Sequence, residues 1–355
     1  MSSRMKVILG SLFIIYVGSA SPQGVTSITS EFEVSGSSFL YAGAMGLNPA
    51  DPDAQSIVRV AWHKAPVPGG GFEYQSEPIT PLEFQKGIFV STYSPNGVAL
   101  QSPIRADDPT LEGWPQDPVL AADDLGRFVV LWRQAQLTEI GRLRAEHSIW
   151  MRPFDAQGTP LDEARKLTNE TDVLPSIDMA GTGEFVIILG RPEPEDEYNF
   201  DEEPPRFWLF DADFQPVHEF PRDIDTTLDR STYSVLSAVA LNEMGEFAVA
   251  YLDTDIYNYT RNRRMRLRTF AADGSPLTEP VKFESESRFF WGLRVGWLDN
   301  DQFVAAWLEG GRYAPITGNW QVFSKDGSPV GRRMSSDLAR SQGGILQFSD
   351  TEFAV

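Results

Sequence analysis

Short apolar runs bounded by turn-forming clusters recur along this chain at nearly constant spacing. One landmark is a turn leading into an aromatic-flanked apolar run: DDLGRFVVLW at 123–132, GTGEFVIIL at 181–189, NEMGEFAVAY at 242–251 and DNDQFVAAW at 299–307. A diverged copy, QSIVRVAW, spans 55–62, and SDTEFAV runs to Val355. The second landmark is an aromatic followed by a turn: YSPNGVAL at 93–100, FDAQGTPL at 154–161, FDADFQPV at 210–217, FAADGSPL at 270–277 and FSKDGSPV at 323–330. Its aromatics, Tyr93, Phe154, Phe210, Phe270 and Phe323, are 61, 56, 60 and 53 residues apart. Two independent landmarks in one order define an internal repeat.

Each repeat predicts four strands, in the copy after the first at roughly 117–122, 127–133, 147–154 and 160–167. Asp-Gly and Asn-Gly between apolar runs are hairpin turns. Along one such strand Phe128, Val130 and Trp132 face one side and Val129 and Leu131 the other, so both faces are apolar and both must be covered. A repeated four-stranded antiparallel unit buried on both faces is a β-propeller blade. A β-solenoid would repeat at shorter intervals, and separate sandwich domains need around 100 residues each. The expected fold is therefore all-β, a single propeller over 21–355 with repeats near 37–110, 115–172, 173–230, 234–286 and 290–340, and a partial copy at 343–355. TSEFEV, at about residue 30, reads as a fourth strand, which predicts six blades with the last shared by both termini.

The motif D-x-x-G-x-F-V-V-x-W followed by F-D-x-x-G-x-P-L resembles repeats of secreted bacterial propeller-like proteins. The resemblance is close over 117–355 and loose over 30–116. It implies a propeller and export and carries over no catalytic residue. The motif is broken at Phe214, which stands where the other turns have glycine.

Composition adds compartment and partner. Arg4 and Lys6 precede an apolar run from Val7 to Val17 and the small residues Gly18-Ser19-Ala20, the pattern of a signal peptide over 1–20. The run is short for a membrane-spanning helix. No cysteine follows it, which argues against a lipid anchor, and the whole chain has none, which excludes disulfides and thiol chemistry. A secreted or periplasmic bacterial protein is expected. With 30 Lys+Arg against 50 Asp+Glu the net charge is −20, which argues against nucleic acid as a partner. Asn169 and Asn258 open glycosylation sequons that matter only in a eukaryotic secretory context.

In a propeller the first-to-second and third-to-fourth turns share one face. Here they are short and uniform. The second-to-third loops, about 63–86, 133–146, 190–206, 252–263 and 308–318, are long and differ in every copy, so ligand contacts are expected there. The candidate binding residues are Tyr74, Tyr198, Asp253, Asp255, Tyr257, Tyr259 and Tyr313. The acidic run at 193–203 could hold Ca²⁺ through hard oxygens but has no EF-hand spacing, and a solvated charge run is the simpler reading. Arg264, Arg266 and Arg268 alternate on a predicted third strand, read as a solvent-facing stripe next to acidic loops in preference to an anion site. His63, His147 and His218 have no metal spacing, and neither G-x-S-x-G nor a phosphate loop is present. Trp62, Trp132 and Trp307 share one repeat position and are expected in the core between blades. The expected function is non-enzymatic binding of a protein or glycan ligand, without membrane insertion. The alternatives are a glycan-cleaving hydrolase with paired carboxylates and a structural module of a longer surface protein.

Overall fold

A computed structural model describes residues 39–46, 57–64, 87–93, 98–139, 142–168, 175–190, 205–226, 232–233, 237–255, 263–283, 289–298, 301–310, 317–337, 346–349 and 352–354. These residues form antiparallel sheets, and no helix is present among them. The first sheet contains β1 (Phe39–Gly46), β2 (Ile57–Lys64), β3 (Gly87–Tyr93) and β4 (Ile104–Arg105). The second contains β5 (Trp114–Ala122), β6 (Phe128–Glu139), β7 (Arg142–Phe154) and β8 (Arg165–Thr168). The third contains β9 (Ser176–Met179), β10 (Phe185–Leu189), β11 (Arg206–Phe210) and β12 (Arg222–Asp223). In the fourth, β13 (Thr232–Tyr233) and β14 (Ser237–Leu241) both pair with β15 (Phe247–Asp255), followed by β16 (Arg263–Phe270) and β17 (Val281–Phe283). The fifth contains β18 (Phe289–Trp297), β19 (Gln302–Gly310), β20 (Thr317–Ser324) and β21 (Pro329–Asp337). A hairpin of β22 (Leu346–Ser349) and β23 (Glu352–Ala354) follows.

The first strands touch one another in chain order, β1 to β5, β5 to β9, β9 to β14 and β14 to β18. Strands of each sheet therefore run outward from these inner strands, which is the propeller arrangement. A buried apolar cluster fills each of the four seams between successive sheets.

The two sequence landmarks turn out to be two halves of one contact. In sheets two to five an aromatic at or next to the start of the second strand pairs across the ladder with an aromatic at or next to the end of the third: Phe128 with Phe154, Phe185 with Phe210, Phe247 with Phe270 and Phe303 with Phe323. Ring centroids lie 4.9, 4.5, 4.8 and 5.5 Å apart, all stacked. Such pairs add about 0.5–1.5 kcal/mol each beyond the area they bury. Phe214 at the irregular turn has φ 62, the conformation Gly158, Gly274 and Gly327 adopt in the other copies. Its side chain is buried beside Phe185, which offsets the cost of left-handed backbone in a bulky residue.

Trp132 and Trp307 are buried in the seams of sheets one and two and of sheets four and five, as expected for core. The side chain of Trp62 is outside the described residues. Other expectations need correction. Segment 133–146 is no loop: β6 and β7 continue as a paired hairpin to Glu139 and Arg142. Segment 252–263 is also largely strand, because β15 runs to Asp255 and β16 starts at Arg263. Fourth strands are two to four residues long in the first three sheets, since each pairs along only one edge. His63 lies within β2, and His218 precedes β12.

Candidate functional site

The seams are tied at both ends by polar groups. At the short-turn end, one blade reaches a carbonyl in the next blade's third-to-fourth turn. Arg59 Nη2 donates to Ala156 O (2.9 Å), Arg127 Nη1 to Ala212 O (3.0 Å), Arg222 Nη1 to Asp273 O (3.2 Å) and Thr269 Oγ1 to Lys325 O (2.8 Å). At the long-loop end, polar-tipped aromatics are satisfied by nearby side chains. Trp132 Nε1 donates to Gln134, and Trp307 Nε1 donates to Glu309 at 2.6 Å. At the equivalent place in sheet four, the Tyr251 hydroxyl donates to Asp225 (2.5 Å), and Arg266 Nη1 donates to the same carboxylate oxygen (2.9 Å). All three residues are buried. Burial and the adjoining Asp225 push the Tyr251 phenol far above its ordinary pKa.

This placement corrects the reading of the arginine stripe. Arg266 is buried in an ion pair with Asp225, and Arg268 is partly buried, donating to Ile224 O (2.6 Å) and Thr278 O (2.9 Å). Both fasten sheet four to the connection from sheet three and belong to the scaffold.

The inner strands share an irregularity at one depth. Register breaks between Leu40 and Ala42 in β1, between Gln116 and Val119 in β5 and between Trp291 and Arg294 in β18. Sheet four interrupts its inner strand between Tyr233 and Ser237, and β9 begins at Ser176, the corresponding level of sheet three. The breaks in the four sheets one, two, four and five lie at the level of the second-strand position that carries Trp62, Trp132, Tyr251 or Trp307. Bulges bend a strand and re-aim its side chains. Repeated in four sheets, they bend the inner strands at the end where each second strand leads into the third.

Charge is scarce on these inner strands. Among the described residues they carry three charged side chains, Asp117, Asp178 and Arg294. Asp117 sits in its bulge with φ 50, outside the favoured regions for a residue with a Cβ. It pairs with Arg133 (2.5 Å), which Gln116 also grips when its amide oxygen faces the guanidinium. Asp178 is half-buried and accepts the Leu241 N–H (2.7 Å) across the seam. The same peptide unit presents Ala240 O to Trp297 Nε1 (2.8 Å), so one peptide is held by both neighbouring blades. Burial raises the Asp178 carboxyl to about 6. Arg294 is exposed and donates to Leu293 O within its own bulge (2.8 Å). The surrounding chain desolvates its guanidinium and lowers its pKa.

Of the residues singled out in the sequence, Tyr74, Tyr198, Tyr257, Tyr259 and Tyr313 lie outside the described residues, as do the acidic residues of 193–203 on which a calcium site would rest. Asp253 and Asp255 are on β15, their backbones paired with Arg264 and Thr232, and their side chains are outside the described set. Among the described residues no group of three or more acidic or histidine side chains is placed to hold a metal.

No protein-family model matches the sequence, and no curated protein does. Solved structures do match. A Dyadobacter fermentans protein of unknown function superposes with a TM-score of 0.51 at 8% identity, over 87% of this chain and 86% of its own. This likeness shows the fold. A putative exo-β-1,3-galactanase from Bifidobacterium bifidum matches at 13% identity, over 84% of this chain and 91% of its own, with a TM-score of 0.38. A GH43 β-xylosidase/α-arabinofuranosidase from a compost metagenome matches at 12% identity, over 83% and 94%, also with a TM-score of 0.38.

Sequence reasoning missed Asp117, Asp178, Asp225 and Arg294. Weak signals existed. Asp178 interrupts an otherwise apolar SIDMA run, Asp117 precedes a proline at a strand start, and Arg294 is the lone cation of its strand.

Proposed function

We propose that the protein is an exported propeller that binds a glycan at the long-loop end of its ring. The observation that carries the reading is the break in the inner strands at one depth, with Asp117 held in strained backbone by Arg133 and Gln116. Carboxylate, guanidinium and amide are planar groups with fixed donor and acceptor directions, suited to the paired hydroxyls of a sugar. The variable tyrosine-bearing loops would supply stacking faces above them. The same proposal has Met1–Ala20 directing export and the ring closing with six blades, the last completed from both ends of the chain.

Hydrolysis of the glycan is the second reading, favoured by one feature, the strain at Asp117. Backbone held in a sparsely populated region clusters at sites that need a side chain pre-placed. Cleavage would require a partner carboxylate, for which Asp253, Asp255 and the acidic 193–203 segment are the candidates. Glycoside hydrolases are among the solved structures of similar outline, at identities that carry no residue of chemistry across.

The test is a panel of polysaccharides offered to the mature chain and to Asp117→Asn, with binding measured by calorimetry and cleavage by release of reducing ends. Binding that weakens at least tenfold in the variant, without release, supports recognition. Release that disappears in the variant supports hydrolysis. Neither binding nor release across the panel overturns both readings.

A further inference from the structure

The short-turn end of the molecule carries a repeated apolar feature. Among the described residues every large apolar side chain left exposed, Met334 apart, lies in or next to a first-to-second or third-to-fourth turn. Five of them, Leu100, Leu161, Val217, Leu277 and Val330, occupy one repeat position, just after each third-to-fourth turn. Their backbones are paired, as in Leu161 N to Pro153 O (3.0 Å) and Val217 N to Leu209 O (2.8 Å), yet their side chains are between 39% and 49% exposed. Two positions earlier the copies differ in chemistry, with Val98, Thr159, Gln215, Ser275 and Ser328. Threonine would suit an exposed strand start as well as leucine does. Single exposed apolar residues are ordinary, but an apolar side chain kept at one exposed position in all five sheets is not scatter. Leu125 and Met244 add exposed apolar tips to first-to-second turns, and Phe220, 69% exposed, follows Val217 by three residues. His218 Nε2 lies 3.0 Å from Asp273 O, which fixes the segment carrying Val217 and Phe220 against the turn of the next sheet.

The ground between these side chains is acidic. Asp124 adjoins Leu125, Glu243 adjoins Met244, and Asp213 and Glu219 lie on either side of Val217 in the chain. The cations of the described short turns, Arg127 and Lys325, are each committed to an ion pair, with Asp123 and Glu246. Burial and the like charges of Asp123 and Glu243 lift the Asp124 carboxyl above its ordinary range. We propose that the short-turn end docks a protein partner whose contact segment interleaves apolar and basic side chains. Such a segment covers the apolar rim and supplies the cations that the turns lack. A second copy of this chain would bring carboxylates against carboxylates, and an anionic membrane surface would be repelled by the same turns. The proposal does not depend on glycan binding at the opposite end.

Three synthetic peptides of equal length serve as probes: alternating leucine and lysine, leucine and glutamate, and serine and lysine. The full chain is to bind the leucine–lysine peptide at least tenfold more tightly than either of the others. Leu161→Ser combined with Val217→Ser and Phe220→Ser, which alters no charge, should bring that affinity down to the serine–lysine level. Met334→Ser, at a comparably exposed apolar side chain toward the other end of β21, should leave it within twofold. If the triple variant melts below wild type, Phe220→Ser alone is to weaken binding at least threefold at an unchanged melting temperature. Serine–lysine peptide bound as tightly as leucine–lysine reduces the effect to net charge and overturns the inference, as does a preference that survives both the triple variant and Phe220→Ser. Self-association in sedimentation, or attachment to phosphatidylcholine vesicles, that the triple variant abolishes would assign the rim to a second copy or to a lipid surface and overturn it as well.

Discussion

Single residues decide how the seams hold, and two of them allow sharp tests. Trp132 is fully buried and Trp307 nearly so, each with its indole N–H satisfied by a residue two positions on. Replacing either by alanine removes a large side chain from a close-packed seam and should cost about 3–5 kcal/mol. A change of under a few degrees in melting temperature would show these positions to be loosely packed. Asp178 makes a prediction of opposite sign. Its carboxyl is raised to about 6 in the fold, above the ordinary aspartate value near 3.9. The folded state thus takes up a proton that the unfolded chain does not. The associated stability is fully present below the unfolded value and is lost as pH rises through about 6. Raising the carboxyl from about 3.9 to about 6 corresponds to about 3 kcal/mol. Asp178→Asn keeps an acceptor for the Leu241 N–H and removes the desolvated charge. It should raise the melting temperature at pH 7.5 and flatten the gain that wild type shows between pH 7.5 and 5. An unchanged pH profile in the variant would assign the gain to other groups.

At the scale of strands and turns, the sequence was most informative where physics is local. Hairpin glycines, two-faced apolar runs and the aromatic landmarks placed the strands because each depends on a few neighbouring residues. The Phe128–Phe154 and Phe247–Phe270 stacks were legible as spacing, although not as contacts. Inner-strand bulges left no comparable trace, because a register break depends on the partner strand. The Asp225–Tyr251–Arg266 network was hidden for a related reason. Its members come from a connection, a second strand and a third strand, up to 41 residues apart. Arg266 therefore read as part of a surface stripe. Removing one partner tests the correction. Asp225→Ala removes the acceptor shared by a buried guanidinium and a buried phenol and should cost about 3–5 kcal/mol. Arg266→Met combined with Asp225→Leu and Tyr251→Phe, which removes all three mutually bonded groups together, should recover much of that loss. If Asp225→Ala is silent, the network is solvated and the stripe reading returns. The turn at Phe214 offers a smaller test. Glycine there relieves left-handed strain of about 1 kcal/mol but empties the space beside Phe185, so Phe214→Gly should destabilise on balance.

At the scale of the whole molecule the open question is how the ring ends. Four seams join five sheets in chain order, and in each the facing residues belong to one buried cluster. The fifth sheet behaves as though a further neighbour were present. On β19, Phe303, Ala305 and Trp307 pack against sheet four, while Val304 and Ala306 point to the opposite face and belong to none of the four clusters. Yet Val304 is only 4% exposed and Ala306 3%. On this second strand, then, both faces are buried. The β22–β23 hairpin follows directly in the chain, which is the basis for proposing a sixth blade. Deleting 343–355 should then uncover the far face of sheet five and leave an unpaired edge at the place of closure. The expected outcome is a loss of soluble yield, binding of a hydrophobic dye and a broadened melting transition, because exposed strand edges and apolar faces recruit other chains. If the shortened chain melts and remains soluble like the full chain, the tail does not cover sheet five, and the six-blade closure is wrong.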